Sequence, residues 1–154
     1  MKQTVMFVAA AAVAALLGLQ VTTGPAVAHI DAFTVDGGTV PPRGGATPTV
    51  RGTLTCDADE TAMVSVVASQ LVGGYVVVQA YGFTPEFMCD GSTQDWTAEL
   101  FAFPVALKPG RADVSAHAQT YTIVEECYTN PTFCYPVYEF HDVREVSTRL
   151  NLHP

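Results

Sequence analysis

Basic residues are scarce in this chain. Seven Lys and Arg stand against fifteen Asp and Glu, and the seven are nowhere clustered. An acidic domain without a basic stripe suits neither nucleic acid nor an anionic membrane surface. Long helical periodicity is missing after the N-terminal region, which excludes a helical bundle. No segment repeats at a period of about 20–50 residues, which excludes solenoids and propellers. The catalytic motifs are missing too. There is no G-x-S-x-G elbow for a serine nucleophile. His141-Asp142 and the Glu125-Glu126 pair carry no further mark of a triad or of a glycosidase carboxylate pair. No C-x-x-C occurs for a redox dithiol, and the thiol spacing does not suit zinc. Asn130-Pro131-Thr132 places Pro in the forbidden position of a glycosylation site. The expectation is a protein that is not an enzyme and needs no cofactor.

The N-terminal region reads as an export signal. Lys2 supplies a short positive start, and residues 5–19 are an alanine-rich apolar run without a charge. The run ends at Gly24-Pro25-Ala26-Val27-Ala28, and Ala26-x-Ala28 is the small-x-small pattern that signal peptidase cuts after. A transmembrane anchor would need roughly 20 consecutive apolar residues, more than this run has. Removing residues 1–28 takes Lys2 with them and moves the net charge from −8 to −9. Residues 29–154 remain, one domain's worth of chain with no second span. A secreted location permits disulfides.

The rest reads as strands and turns, because Val, Thr and Tyr are frequent and Gly and Pro fall between the apolar runs. Strands are expected at about 30–35, 49–56, 63–72, 75–83, 95–103, 111–124 and 137–150. Turns or loops fall at Asp36-Gly37-Gly38, residues 41–45, residues 57–60, residues 84–91 and residues 104–110. A β-bulge is expected near His141-Asp142, where the alternation slips. Gly73-Gly74 reads as a two-residue type I′ turn. That turn would set Val72 opposite Tyr75, Gln70 opposite Val77, Ala68 opposite Gln79 and Val66 opposite Tyr81. Both faces of this hairpin are substantially apolar. It is therefore either covered on both sides or offers an apolar patch to a partner; coverage is the expectation. About seven strands at this spacing suit an immunoglobulin-like antiparallel sandwich of two sheets.

Four cysteines allow three pairings. The favoured one is Cys56–Cys89 with Cys127–Cys134. The second pair lies only seven positions apart across an Asn-Pro turn, the spacing of a loop staple, and the first follows by elimination. In the chain-entropy account the long bridge contributes about 3.8 kcal/mol and the short one about 2.5.

Gly52-Thr53-Leu54-Thr55-Cys56, Val64 to Gln70, Met88-Cys89-Asp90-Gly91, Trp96 and Pro109-Gly110-Arg111-Ala112-Asp113-Val114 together carry a resemblance. Over about residues 50–118 the chain resembles small secreted actinobacterial immunoglobulin-like domains of no assigned function. The resemblance implies fold and secretion and no activity. More loosely, the chain is similar to the neocarzinostatin-type carriers, exported two-disulfide sandwiches that hold an apolar chromophore in a cleft.

Three functions follow. The leading one is a secreted, monomeric, non-enzymatic binding module for a protein, a glycan or a small apolar ligand. Its contact residues would be Tyr128 and Phe133 in the Cys127–Cys134 ring, with Tyr75 and Tyr81 on the hairpin, because a rigid ring with aromatic tips loses little entropy on binding. The second is a carrier holding an apolar small molecule between the sheets or against the hairpin. The third uses His29, the first residue after the expected cut. Its amino group and ring could take copper with His117 or His141, both expected to point outward, as in exported copper proteins with an N-terminal His.

Overall fold

The fold is described by a computed structural model covering residues 30–41, 47–103, 105–128 and 133–154. The expected export signal, His29, most of the expected 41–45 loop and the expected Asn130-Pro131 turn lie outside the described residues.

Nine strands and no helix occur among the described residues. They are β1 (Ile30–Phe33), β2 (Gly37–Thr39), β3 (Thr49–Cys56), β4 (Thr61–Val72), β5 (Val76–Phe83), β6 (Phe87–Met88), β7 (Thr93–Ala102), β8 (Gly110–Cys127) and β9 (Cys134–Leu152). The strands form one antiparallel sheet in the order β1-β3-β7-β5-β4-β8-β9, with β2 on β3 and β6 on β4. Hydrogen bonding therefore draws one sheet curled into a half-barrel, where two separate sheets were expected. At its far ends Thr39 makes a parallel bridge to His153. The Val40 amide donates to the His153 carbonyl at 2.7 Å, and the His153 amide donates to that of Gly38 at 3.1 Å. No helix of the described residues is long and apolar enough to cross a membrane.

Alternation decides what faces the inside of the curl. Val50, Leu54 and Cys56 of β3, Trp96, Ala98 and Leu100 of β7, and Ala112, Val114, Ala116 and Ala118 of β8 are buried. Each set follows the period-two alternation of its strand. Two glycines allow close approach. A Cβ on Gly52 would meet the Thr34 carbonyl and the Trp96 ring, and one on Gly82 would meet the Glu99 carbonyl. The expected bulge is present: Thr120 pairs with Asp142 and Tyr121 with Phe140, leaving His141 as the extra residue. Both favoured disulfides form, Cys56–Cys89 and Cys127–Cys134.

The β4–β5 hairpin differs from its expected register by one residue. Val72 pairs with Val76, Gln70 with Val78, Ala68 with Ala80 and Val66 with Gly82, so the loop is Gly73-Gly74-Tyr75. A one-residue slip turns every β5 side chain to the other face. The two-residue register would have turned Gln79 and Tyr81 inward beside Ala68 and Val66. The observed one buries Val78, Ala80 and Gly82 instead, and Gly82 fits because it has no Cβ to strike β7. Two short strands also stand where turns were expected, β2 at Gly37–Thr39 and β6 at Phe87–Met88.

Candidate binding surfaces

Two surfaces carry the residues expected to bind, and they lie at different ends of β4. The first is an arm. Strand β8 is paired with β4 as far as Tyr121↔Thr61. Beyond that point β8 has, among the described residues, only β9 beside it, through six pairs from Thr122↔Glu139 to Cys127↔Cys134. A two-stranded ribbon alone is marginal in water, so the disulfide at its tip and side-chain packing along it must hold it together.

Packing along the arm is aromatic. At its root Tyr121 is buried, with ring centroids 5.5 Å from Tyr138 and 5.6 Å from Phe140. Burial first, and the Glu86 carboxylate second, raise the Tyr121 pKa far above the ordinary phenol range. At the tip Tyr128 stacks on Phe133 at 6.3 Å and lies 5.6 Å from Tyr135. The Tyr135 hydroxyl donates to Glu126 Oε2 at 2.8 Å, which raises its pKa. Tyr128 and Phe133 are each 63% exposed, so these rings do not fold back on the sheet. The sequence paired Tyr128 with Phe133; Tyr135, just outside the ring, packs against Tyr128.

The second surface is the outer face of β4, β5 and β7. Val67, Tyr81 and Phe101 form one row across the three strands, and Leu71 faces Val77 in another. Leu71, Val77, Tyr81, Phe83 and Phe101 are all exposed. The hairpin is thus covered on its inner face and open on its outer one. Tyr81 belongs to this face, while Tyr75 sits in the turn and is 85% exposed. Phe101 and Phe83 were not singled out from the sequence. The signal was present: Phe101 lies opposite in phase to Trp96, Ala98 and Leu100.

Beside this apolar face the outer surface of β8 and β9 is polar. Arg149 Nε donates to Asp113 Oδ1 at 2.7 Å, Ser115 and Ser147 share a hydrogen bond at 3.0 Å, and His117 Nε2 lies 3.8 Å from Glu145 Oε1. A shallow groove of about 390 Å³ runs over this ladder, lined by Val67, Ser69, Asp113, Ser115, Ser147 and Arg149 among others.

The two histidines offered as copper partners have different surroundings. His117 points outward beside Glu145. His141, expected to point outward too, is turned toward the body of the sheet. Its Nε2 lies 2.9 Å from Thr122 Oγ1 and 3.9 Å from Glu60 Oε1. The bulge re-aims this side chain, a known effect of an extra residue in a ladder. Among the described residues no three His, Cys, Asp or Glu side chains are grouped to hold a metal. Glu60 was not singled out from the sequence, and nothing in its turn distinguishes it there from Asp57 or Asp59.

Comparison with protein-family models, with curated proteins and with solved structures finds no match.

Proposed function

We propose that this protein is a secreted, non-enzymatic binding module that uses the tip of the β8–β9 arm as its contact surface. One observation carries this reading: beyond Tyr121↔Thr61 the arm has no third strand among the described residues, yet it ends in a disulfide-closed ring whose aromatic side chains Tyr128 and Phe133 remain open to solvent. Stacking among Tyr128, Phe133 and Tyr135 limits the freedom those rings lose on contact, which favours affinity. Aromatic anchors on a rigid loop suit a protein or glycan partner. The two disulfides are consistent with an oxidising, extracellular setting.

The finer fold assignment supports the same reading. The neighbours β3-β7-β5 followed by β4-β8-β9 repeat the strand order of immunoglobulin-like sandwiches, with β2 meeting the end of β9 in parallel. We read the half-barrel as a relative of that architecture and keep its likeness to secreted domains of that type as part of the proposal. The long disulfide differs from the antibody pattern, since it joins the end of β3 to the segment before β7.

The test is capture from the medium of the producing cell, with the wild type compared against the Tyr128→Ala, Phe133→Ala double variant. Loss of the captured partner supports the arm. Unchanged capture of every partner overturns it. A second reading rests on the apolar row Val67–Tyr81–Phe101, against which an apolar small molecule could lie. In that case Phe101→Lys, and not the arm variant, removes the ligand from protein recovered from culture.

A further inference from the structure

The turn before β4 buries a carboxylate. The Glu60 side chain is 4% exposed, and among the described residues neither of its oxygens has a hydrogen-bond partner. The turn is held rigidly. The Cys89 amide donates to the Glu60 carbonyl at 2.8 Å, the Asp59 amide to the Cys89 carbonyl at 3.1 Å, and Cys89 is bridged to Cys56. The backbone at Glu60 is therefore fixed to the disulfide corner. A buried carboxylate needs a proton of its own or a positive partner.

The side chain that faces it is His141, with Nε2 at 3.9 Å from Oε1. The same nitrogen lies 2.9 Å from Thr122 Oγ1. Thr122 is the first residue of the arm beyond the last pair with β4, and His141 is the extra residue of the bulge at which β9 leaves the arm. His141 thus touches the body of the sheet through Glu60 and the arm through Thr122.

We propose that Glu60 and His141 form a proton-dependent lock that fixes the root of the arm to the body of the sheet. This rests on the arm being the contact surface, and it makes pH the regulator of that surface. With the imidazole protonated, its charge offsets the Glu60 carboxylate. With the imidazole neutral, Nε2 can still accept the Thr122 hydroxyl, but Glu60 loses its positive partner. Imidazole is the side chain that ordinarily changes charge between about pH 5 and 8.

Other charged groups lie on the elements around the pair. Asp57 and Asp59 share the turn with Glu60, Glu139 pairs with Thr122 across the arm, and Glu86 acts on Tyr121. Asp31 lies on β1, and Asp142 follows His141 along β9. The nearby cation, Arg144, is held at 3.5 Å by Asp142, which also accepts the Ile30 amide.

Amide hydrogen exchange of the full protein without any partner tests this, read on peptides covering 122–140 and on β4 as control. After correction for the intrinsic pH dependence of exchange, the wild-type arm is expected to exchange roughly tenfold faster near pH 8 than near pH 5.5, with β4 unchanged. Glu60→Gln removes the buried charge and keeps the shape, so its arm should be equally protected at both pH values. His141→Gln should leave the arm poorly protected at both. A wild-type arm with the same protection at both pH values, a pH response that survives Glu60→Gln, or an opening shared equally by β4 would each overturn the lock. Partner capture that ignores Tyr128 and Phe133 would overturn the contact reading and leave the exchange result standing.

Discussion

Thr61 and Tyr121 face each other across β4 and β8, and this pair is where the body of the sheet ends. On one side of it β8 lies between two strands. On the other side β8 and β9 continue as a ribbon closed by Cys127–Cys134. The two disulfides therefore act on different units of structure.

Replacing Cys127 and Cys134 by Ser should loosen the arm and spare the body. The closed ring is short, so the chain-entropy cost is about 2.5 kcal/mol, expressed as faster amide exchange over 122–140. Losing Cys56–Cys89 should cost about 3.8 kcal/mol and lower the midpoint of global unfolding. Equal effects of the two pairs on global unfolding would contradict this division.

Two glycines should respond differently to alanine. Gly82→Ala drives a Cβ into the Glu99 carbonyl of the neighbouring strand, which has no room to give. It should destabilise by about 1–3 kcal/mol or more, as overpacking does. Gly74→Ala meets no atom within 4 Å but holds a φ of +83°. Its cost is the left-handed backbone alone, about 1–2 kcal/mol, and Gly74→Asn should recover part of it. Urea midpoints rank the three.

Asp142 should contribute to stability only above the acid range. The Ile30 amide that it accepts, then the Val143 amide and Arg144, hold its carboxyl below the ordinary aspartate value of 3.8. A depressed folded-state pKa gives stability that is present above the unfolded value and lost as pH falls through the folded one. The difference in urea midpoint between wild type and Asp142→Asn should thus be present at neutral pH and shrink as pH drops below 3.8. A difference that stays constant down to the acid limit would assign the effect to packing.

Phe101→Lys should be tolerated by the fold. Phe101 is 63% exposed on the outer face opposite Tyr81. An exposed substitution of this kind shifts stability by about 0.5 kcal/mol or less. The same change should shorten retention on a hydrophobic column, because it interrupts the row Val67–Tyr81–Phe101. A large loss of stability would mean that this face is covered within the folded chain.

Inward faces were legible wherever a strand alternates cleanly. Val50, Leu54 and Cys56, or Ala112 to Ala118, announce a buried side by period alone, and the core confirms them. The 127–134 staple was legible from spacing, and the bulge at His141 from the slip in alternation. The β4–β5 register was not legible, because both faces of that hairpin are apolar and a Gly-Gly pair suits a loop of two or three residues equally. Local chemistry could not choose between them. The β7 backbone beneath Gly82 does choose.

The sequence by itself determined an all-β chain, its inward faces and the Cys127–Cys134 staple, because period and short spacing are local properties. Tertiary structure alone decided that the strands curl into one half-barrel, that the outer face of β4, β5 and β7 stays open, and that Glu60 lies buried against His141. Each of those depends on which distant strand arrives beside another. Thr61 and Tyr121 are sixty positions apart, and no pattern within either strand specifies that they meet.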